Sequence, residues 1–253
     1  MMPVIFIGHG SPMNAIEDNE FTDNWNKIAR SIKKPKAILC VSAHWVTKNI
    51  HINTSNNPKI INDFYGFPKE LYEVEYNVKG SPEFAAKTKE LLGEDAFEDN
   101  TWGIDHGAWS VLYKMYKEAD IPVYQISIDG LASPKKLFEI GKKLKELRER
   151  DVLILGSGNV VHNLRYVDFS VNDGYDWAKK FDEYIKLNIR KRNFNKIINY
   201  KCAGECAKYS VPTPEHFLPL LYVLGAVNDN DNVEIYNNSC ICGSLSMTSY
   251  VFS

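Results

Sequence analysis

Residues 4–12 read Val4-Ile5-Phe6-Ile7-Gly8-His9-Gly10-Ser11-Pro12, an apolar run that ends at a histidine between two glycines. A short apolar run bounded by turn residues is typical of a core strand. Three further runs of this kind lie at residues 37–42, 123–128 and 152–155. Helical patterns with a charged face lie among them, at residues 20–32, 82–92, 110–118 and 134–148. Strands that alternate with helices predict an α/β fold with a mainly parallel central sheet flanked by helices.

The second half of the chain continues without a linker, a repeat or a low-complexity segment. Residues 175–189 predict a long helix with a charged face, and residues 214–224 predict a shorter apolar helix. Alternating residues at 233–236 and 244–252 predict closing strands. Because 253 residues are enough for one large core, we expect a single domain over residues 1–253.

Composition and charge exclude several classes of protein. A formal net charge of −2 gives no electrostatic basis for binding nucleic acid or an anionic membrane surface. No apolar run approaches the roughly 20 residues that a membrane helix needs, and the first residues lack the basic region of a signal peptide. We therefore expect a cytoplasmic protein, a monomer or small homo-oligomer, whose partners are small molecules.

The five cysteines do not predict a disulfide framework, because the count is odd and the chain is large enough to fold without one. Cys40 lies in an apolar run and is typical of a buried small side chain. For the other four, a thiolate zinc site is the alternative: Cys202, Cys206, Cys240 and Cys242. Their spacings differ from those of the usual zinc knuckles, so reduced structural thiols are favoured.

Five of the six histidines lie in short turn-like segments: His9, His44, His106, His162 and His216. His9 follows the first predicted strand, His44 ends the second, and the glycine-rich segment that leads to His162 follows the fourth. Ligands in open α/β sheets bind beyond the carboxyl ends of the strands. Imidazole is a common ligand of mid-row divalent metals and a proton carrier near neutral pH. The sequence therefore predicts a metal site at this edge of the sheet, with His51 outside it as an ordinary strand residue.

Each histidine taken alone is also explained by packing or hydrogen bonding. His44 lies beside Trp45 in the sequence, and His106 lies between Trp102 and Trp109. Taken together, such explanations require several independent coincidences at one edge of the sheet, so a shared site is favoured.

The segment Gly156-Ser157-Gly158 resembles a phosphate-binding turn but lacks the rest of the motif. No lysine follows it as in a P-loop, and the third glycine of a dinucleotide fingerprint is absent. Ser157 also lacks the flanking pattern of a hydrolase nucleophile. Neither a nucleotide site nor a serine hydrolase is predicted.

An ordered set of motifs spans nearly the whole chain: Gly8-His9-Gly10-Ser11-Pro12, Ser42-Ala43-His44-Trp45, Asp63-Phe64-Tyr65-Gly66-Phe67-Pro68, Trp102-Gly103-Ile104-Asp105-His106-Gly107-Ala108-Trp109, Gly156-Ser157-Gly158-Asn159-Val160-Val161-His162-Asn163, Pro214-Glu215-His216 and Gly243-Ser244-Leu245-Ser246-Met247. With these motifs the chain resembles the class III extradiol ring-cleavage dioxygenases, the LigB superfamily, and within it the DOPA 4,5-dioxygenase-like branch. No single motif is diagnostic, but their order is specific.

The resemblance implies one divalent metal per chain, held by His9, His44 and His216. His162 matches a position described as a fourth ligand or as the nearby acid/base, and His106 matches a histidine that lines the pocket for oxygen and substrate. Glu215 is the alternative to His216, because some relatives use a carboxylate as third ligand. The resemblance implies Fe(II) as the metal of the active protein, with Zn(II) as an ion that the same ligands can hold, since both metals suit such a ligand set.

The implied reaction opens a catechol-type, DOPA-like aromatic diol with O2. His162 would act as acid/base, and His106 would hydrogen-bond the oxygen-derived group. Tyr65 and Asp63 are candidate substrate-binding residues. Two alternatives remain open: a zinc hydrolase in which Glu215 activates water, and a non-enzymatic metal-binding relative. The presence of both His106 and His162 favours an enzyme.

Overall fold

The computed structural model describes residues 1–253 and places all four runs of core-strand pattern in one eight-stranded sheet. The strands are β1 (Val4–Gly8), β2 (Ala37–Thr47), β3 (Ile50–Ile52), β4 (Ala96–Glu98), β5 (Val123–Asp129), β6 (Val152–Gly158), β7 (Val233–Tyr236) and β10 (Ser249–Phe252), while β8 (Cys240–Ile241) and β9 (Leu245–Ser246) pair separately. The order across the large sheet is β4-β3-β5-β2-β6-β1-β10-β7.

The centre of this sheet is parallel, as the sequence predicts. Strands β5, β2, β6 and β1 all run in the same direction. The antiparallel pairings lie toward the two edges, where β10 joins β1 and β7, and where β3 meets β5. The mainly parallel α/β fold is therefore confirmed. The predicted closing strand over 244–252 is wrong in one respect, because it divides into β9 and β10, which belong to different sheets.

Helices cover both faces of the sheet. They are α1 (Glu20–Ser31), α2 (Lys69–Tyr72), α3 (Pro82–Leu92), α4 (His106–Met115), α5 (Pro134–Leu144), α6 (Glu146–Glu149), α7 (Asp176–Arg190), α8 (Phe194–Ile198), α9 (Glu205–Ser210) and α10 (Leu218–Gly225). None of them is both long and apolar enough to cross a membrane.

Two helix boundaries differ from the predicted ones near the histidines. Helix α4 begins four residues before the predicted start at Ser110, because the Asp105 side chain accepts a hydrogen bond from the Ala108 amide and caps the helix. Helix α10 begins at Leu218, and the predicted first turn over 214–217 is a non-helical turn. His216 therefore lies before this helix and not inside it.

Two apolar cores lie on opposite faces of the sheet, because successive side chains of a strand point to opposite faces. In β1, Val4 and Phe6 belong to the larger core, whereas Ile5 and Ile7 belong to the smaller one. Strands that are buried on both faces hold the carboxyl ends of β1, β2 and β6 in a fixed register. Gly8 lies beside Gly158, and Ser42 lies beside Ser157.

The register of β2 against β5 shifts between Val41 and Val46. Such an irregularity bends a strand and redirects its side chains. It lies around His44, which is inside β2 and not beyond its end. On the neighbouring strand, Gly158 approaches the 214–217 turn so closely that a Cβ at this position would collide with the carbonyl oxygen of His216. The absence of a side chain at Gly158 thus allows His216 to reach the edge of the sheet.

Candidate metal centre

The five histidines of the turn-like segments lie together at the carboxyl edge of the central strands. His9 follows β1, His44 lies in the irregular part of β2, His106 is the first residue of α4, and His162 and His216 lie in the segments that follow β6 and precede α10. His51 lies apart in β3, where its Nδ1 is 2.8 Å from the Asp99 carboxylate.

Three of these rings form a nearly equilateral triangle. The ring centres of His9 and His44 are 5.2 Å apart, those of His9 and His216 are 5.2 Å apart, and those of His44 and His216 are 5.0 Å apart. Imidazoles bound to one tetrahedral metal with nitrogens about 2.0–2.1 Å away place their ring centres about 5.3 Å and their nitrogens about 3.4 Å apart. The Nε2 atoms of His9 and His44 are 3.4 Å apart. The ring centres of this triangle are therefore spaced as in a tetrahedral site, but the group of donor atoms that lie within 4.8 Å of one another contains His9, His44 and His106 and not His216.

His106 offers a second possible set of three with His9 and His44, since the donor atoms of these three side chains lie within 4.8 Å of one another. Its ring is placed unevenly, with its centre 4.0 Å from that of His44 and 6.0 Å from that of His9. A common tetrahedral centre requires similar separations, so we favour the triangle with His216. The aromatic ring that packs edge-on against His106 is that of Phe64, and neither flanking tryptophan does so in its place: Trp102 stacks on Trp45, and Trp109 packs against Phe64.

Hydrogen bonds fix which ring nitrogen is free in three of these histidines, His9, His44 and His106. The Ser157 hydroxyl donates its proton to the Gly107 carbonyl, so it accepts from Nδ1 of His9, 3.0 Å away. The Asp63 carboxylate accepts from Nδ1 of His44 at 3.1 Å and from Nδ1 of His106 at 3.0 Å. All three histidines therefore present the Nε2 lone pair. Such partners orient ligand histidines in metal sites and set their tautomer.

A buried carboxylate holds the backbone around these residues. Asp105 is fully buried and accepts hydrogen bonds from Ser42, Gln125 and Trp102, with 2.6 Å between its Oδ1 and the Ser42 hydroxyl. It also caps α4. Asp105 thereby joins β2, β5 and the start of α4, the elements that carry and support His44 and His106.

His162 lies directly against His216. Its ring is stacked on that of His216, with 3.5 Å between the ring centres and 3° between the planes. A nitrogen lone pair lies in the plane of its ring, so one metal ion cannot lie in both of two parallel planes. The stacked arrangement therefore allows only one of the two rings to be a well-oriented ligand.

Burial keeps most of these imidazoles neutral. Burial and then the neighbouring histidines hold the pKa of His9 and of His216 well below the usual value. Burial and the charge of His44 lower the pKa of His162 to about 4. Neutral imidazole is the form that binds a metal. His44 differs, because its hydrogen bond to Asp63 and the charge of Asp105 outweigh burial and raise its pKa.

The Asp63 carboxylate is correspondingly ionised. Burial opposes its charge, but hydrogen bonds from His106 and His44 outweigh burial and hold the pKa of Asp63 well below its usual range. Its side chain is 17% exposed. Tyr65, the other candidate substrate-binding residue, is 91% exposed on the same loop.

Neither Glu215 nor His216 belongs to the group of donor atoms within 4.8 Å of one another, but only His216 has its ring close to those of His9 and His44. The charge of Glu215 adds to burial in raising the pKa of Tyr200, which places the carboxylate near that phenol. All five cysteines are free thiols, and no group of cysteines is close enough to hold a metal.

Two residues of the site have roles that the sequence did not reveal. Ser157, which has no nucleophile motif, orients His9, and Asp63 contacts two histidines directly. The only sequence signal for Asp63 is its position in the segment Asp63-Phe64-Tyr65-Gly66-Phe67-Pro68. Its hydrogen-bond partners lie 19 and 43 residues away in the chain, which local patterns do not show.

A mainly parallel α/β sheet with a cluster of histidines at its carboxyl edge defines a class of protein that could hold a metal ion. The comparison with known families gives the particular one. The chain belongs to the LigB family, whose model, described as the catalytic LigB subunit of aromatic ring-opening dioxygenase, matches residues 3–253.

Similar proteins agree with this assignment. The chain is 44% identical over 254 residues to the 4,5-DOPA dioxygenase extradiol of Escherichia coli K12, covering 98% of this chain and 93% of that protein. It is 37% identical to the 4,5-DOPA dioxygenase extradiol of Beta vulgaris, over 98% of this chain and 95% of that protein. The crystal structure of an uncharacterized protein from Escherichia coli K12 superimposes with a TM-score of 0.88 at 40% identity, covering 100% of both chains.

Proposed function

We propose that this protein is a metal-dependent extradiol dioxygenase that opens a catechol-type, DOPA-like aromatic ring with O2, and that residues 1–253 form its one catalytic domain. The observation that carries the proposal is the nearly equilateral triangle of His9, His44 and His216. Family membership and the names of the relatives supply the reaction class.

His9, His44 and His216 are the proposed ligands of one divalent ion: their ring centres are spaced as in a tetrahedral site, and hydrogen bonds leave Nε2 free on His9 and His44. His106 is the competing third ligand, because its donor atom lies within 4.8 Å of those of His9 and His44. We propose Fe(II) as the active ion and Zn(II) as an ion that the same ligands bind. When bound, Fe(II) supplies coordination for two adjacent catechol oxygens and redox chemistry with O2.

His162 is the proposed acid/base. Its pKa of about 4 is lower than the near-neutral value that a residue serving in both roles is expected to have. The ring is therefore neutral near pH 7, as a base must be, and its protonated form returns the proton readily. Stacking on His216 fixes the ring beside the triangle.

His106 is the proposed partner of substrate and oxygen. Asp63 accepts the proton of its Nδ1, so Nε2 accepts a hydrogen bond from a substrate hydroxyl. Once protonated, Nε2 donates a hydrogen bond to an oxygen-derived group. The zinc hydrolase alternative is less well supported, because the charge of Glu215 acts on Tyr200 and Asp63 already accepts three N–H groups.

The test is reconstitution with Fe(II) under anaerobic conditions, followed by exposure to O2 and a panel of catechols that includes DOPA. Ring opening gives a conjugated product that absorbs in the visible region, with one O2 consumed per catechol. The Zn(II)-loaded protein and His9→Ala serve as controls and should be inactive. Failure of the Fe(II) protein to consume O2 with every catechol would overturn the proposal.

A further inference from the structure

One carboxylate joins two histidines of the metal centre. Oδ2 of Asp63 is 3.1 Å from Nδ1 of His44. Oδ1 is 3.0 Å from Nδ1 of His106 and 2.9 Å from the backbone nitrogen of the same residue. Asp63 thus accepts three N–H groups and has no proton to give, so both rings must carry their proton on Nδ1.

The loop that carries Asp63 is itself held in place. The amide of Ile61 donates to the carbonyl of Ile104 at 2.9 Å, and the indole of Trp109 donates to the carbonyl of Ile61 at 3.0 Å. On the other side of Asp63, the ring of Phe64 packs edge-on against His106 with 5.4 Å between the ring centres. A carboxylate fixed on both sides can set the positions of the rings that it contacts.

We propose that Asp63 is a positioning residue that aims Nε2 of His44 at the metal and Nε2 of His106 at the space beside it. This inference rests on the proposed metal centre and replaces substrate binding as the role of Asp63. An asparagine side chain cannot accept a proton from both histidines. In Asp63→Asn one of the two side-chain atoms becomes an NH2 donor, which opposes an Nδ1 proton and drives that histidine toward the tautomer with its proton on Nε2.

The chain contains a matched control. His51 and Asp99 form a similar histidine–aspartate pair, with 2.8 Å between Nδ1 and Oδ2, in β3 and the segment after β4. Neither residue belongs to the group that could hold a metal. Asp99→Asn therefore makes the same chemical change outside the centre.

The experiment measures zinc affinity by competition with a chromogenic chelator and the visible spectrum of the Co(II)-substituted protein. Loss of the hydrogen-bond partner of a ligand histidine typically lowers metal affinity by about 10- to 100-fold. We expect a loss of that size and an altered Co(II) spectrum in Asp63→Asn, with parent-like values in Asp99→Asn. Asp63→Glu keeps the carboxylate and should bind zinc more tightly than Asp63→Asn. Circular dichroism and urea unfolding establish that each variant is folded.

Zinc affinity and a Co(II) spectrum equal to those of the parent in folded Asp63→Asn would overturn the positioning role. So would an equal loss of affinity in Asp99→Asn. His44→Ala separates this outcome from failure of the metal centre itself. If His44→Ala binds zinc as the parent does, the proposed ligand set is wrong, whatever the behaviour of Asp63.

Discussion

The imidazole rings of His162 and His216 lie parallel, with 3° between their planes and 3.5 Å between their centres. Only His216 also lies in the triangle with His9 and His44. Since a ligand nitrogen binds a metal in the plane of its ring, this stack divides the two roles that the resemblance left open for His162. We therefore propose His216 as the ligand and His162 as a neutral neighbour that lies against it.

This division predicts different metal contents for two single variants. His216→Ala removes a ligand and should lose stoichiometric zinc, whereas His162→Ala should retain most of it. Metal content is measured by atomic emission after dialysis against metal-free buffer. Retention of zinc in His216→Ala together with its loss in His162→Ala would show that the stack is assigned the wrong way round.

Removing the Ser157 hydroxyl should weaken zinc binding without removing a ligand. This hydroxyl accepts the Nδ1 proton of His9, so Ser157→Ala leaves that proton without a partner and the ring free to rotate. Zinc affinity should fall by about 10-fold or more. Ser110→Ala is the control, because the buried Ser110 hydroxyl in α4 has no hydrogen-bond partner. Equal affinities in the two variants would remove Ser157 from the site.

The sequence predicted those parts of the site that depend on strand order. His9 and the segment leading to His162 follow strands whose apolar runs are unmistakable, so their shared edge could be predicted. The placement of His216 was predicted less well, because the apolar residues after Pro214 suggested a helix that begins only at Leu218. The contacts of Asp63 were not predictable, since they depend on how a loop without regular structure folds over the edge of the sheet.

Acidification should destabilise the metal-free protein. The pKa of His162 is about 4 in the folded chain, whereas histidine in an unfolded chain titrates near 6.5. Between these values the unfolded chain binds more protons, so the free energy of unfolding falls as the pH drops from about 6.5 toward 4. His9 and His216 act in the same direction because burial lowers their pKa. His44 acts in the opposite direction, since its raised pKa favours the folded state at low pH.

Urea unfolding at about pH 7 and about pH 5 measures this effect, which is at most about 1.4 kcal/mol per pH unit for each group. His162→Gln removes one of the groups and should show a smaller decrease in the free energy of unfolding between the two pH values. An identical decrease in the parent and the variant would contradict the low pKa of His162.

Breaking the buried ion pair of Arg148, at the opposite end of the strands, should destabilise the fold. The Arg148 guanidinium is fully buried, forms a bidentate pair with Asp231 at 2.6 and 3.0 Å, and donates to the carbonyl of Met2 before β1. Asp231→Ala leaves the buried charge without its partner, at a cost of about 3–5 kcal/mol in the free energy of unfolding. Urea unfolding measures the cost. Zinc affinity should stay unchanged, and a parallel loss of affinity would show that the two regions are coupled.

The last prediction separates catalysis from metal binding. His106→Ala should lower the rate of ring opening by about 100-fold or more, the scale of a lost acid/base or oxyanion partner. Its metal content should stay near that of the parent when His216 is the third ligand, because the ring centre of His106 lies 6.0 Å from that of His9, compared with 5.2 Å for His216. His9→Ala and His44→Ala should lose both metal and activity. Rates with saturating Fe(II) and metal content are measured side by side on the three variants.

If His106→Ala opens catechols as fast as the parent, His106 only packs against Phe64. If it loses its metal as His9→Ala does, the triad of His9, His44 and His106 is the ligand set and the triangle with His216 is wrong.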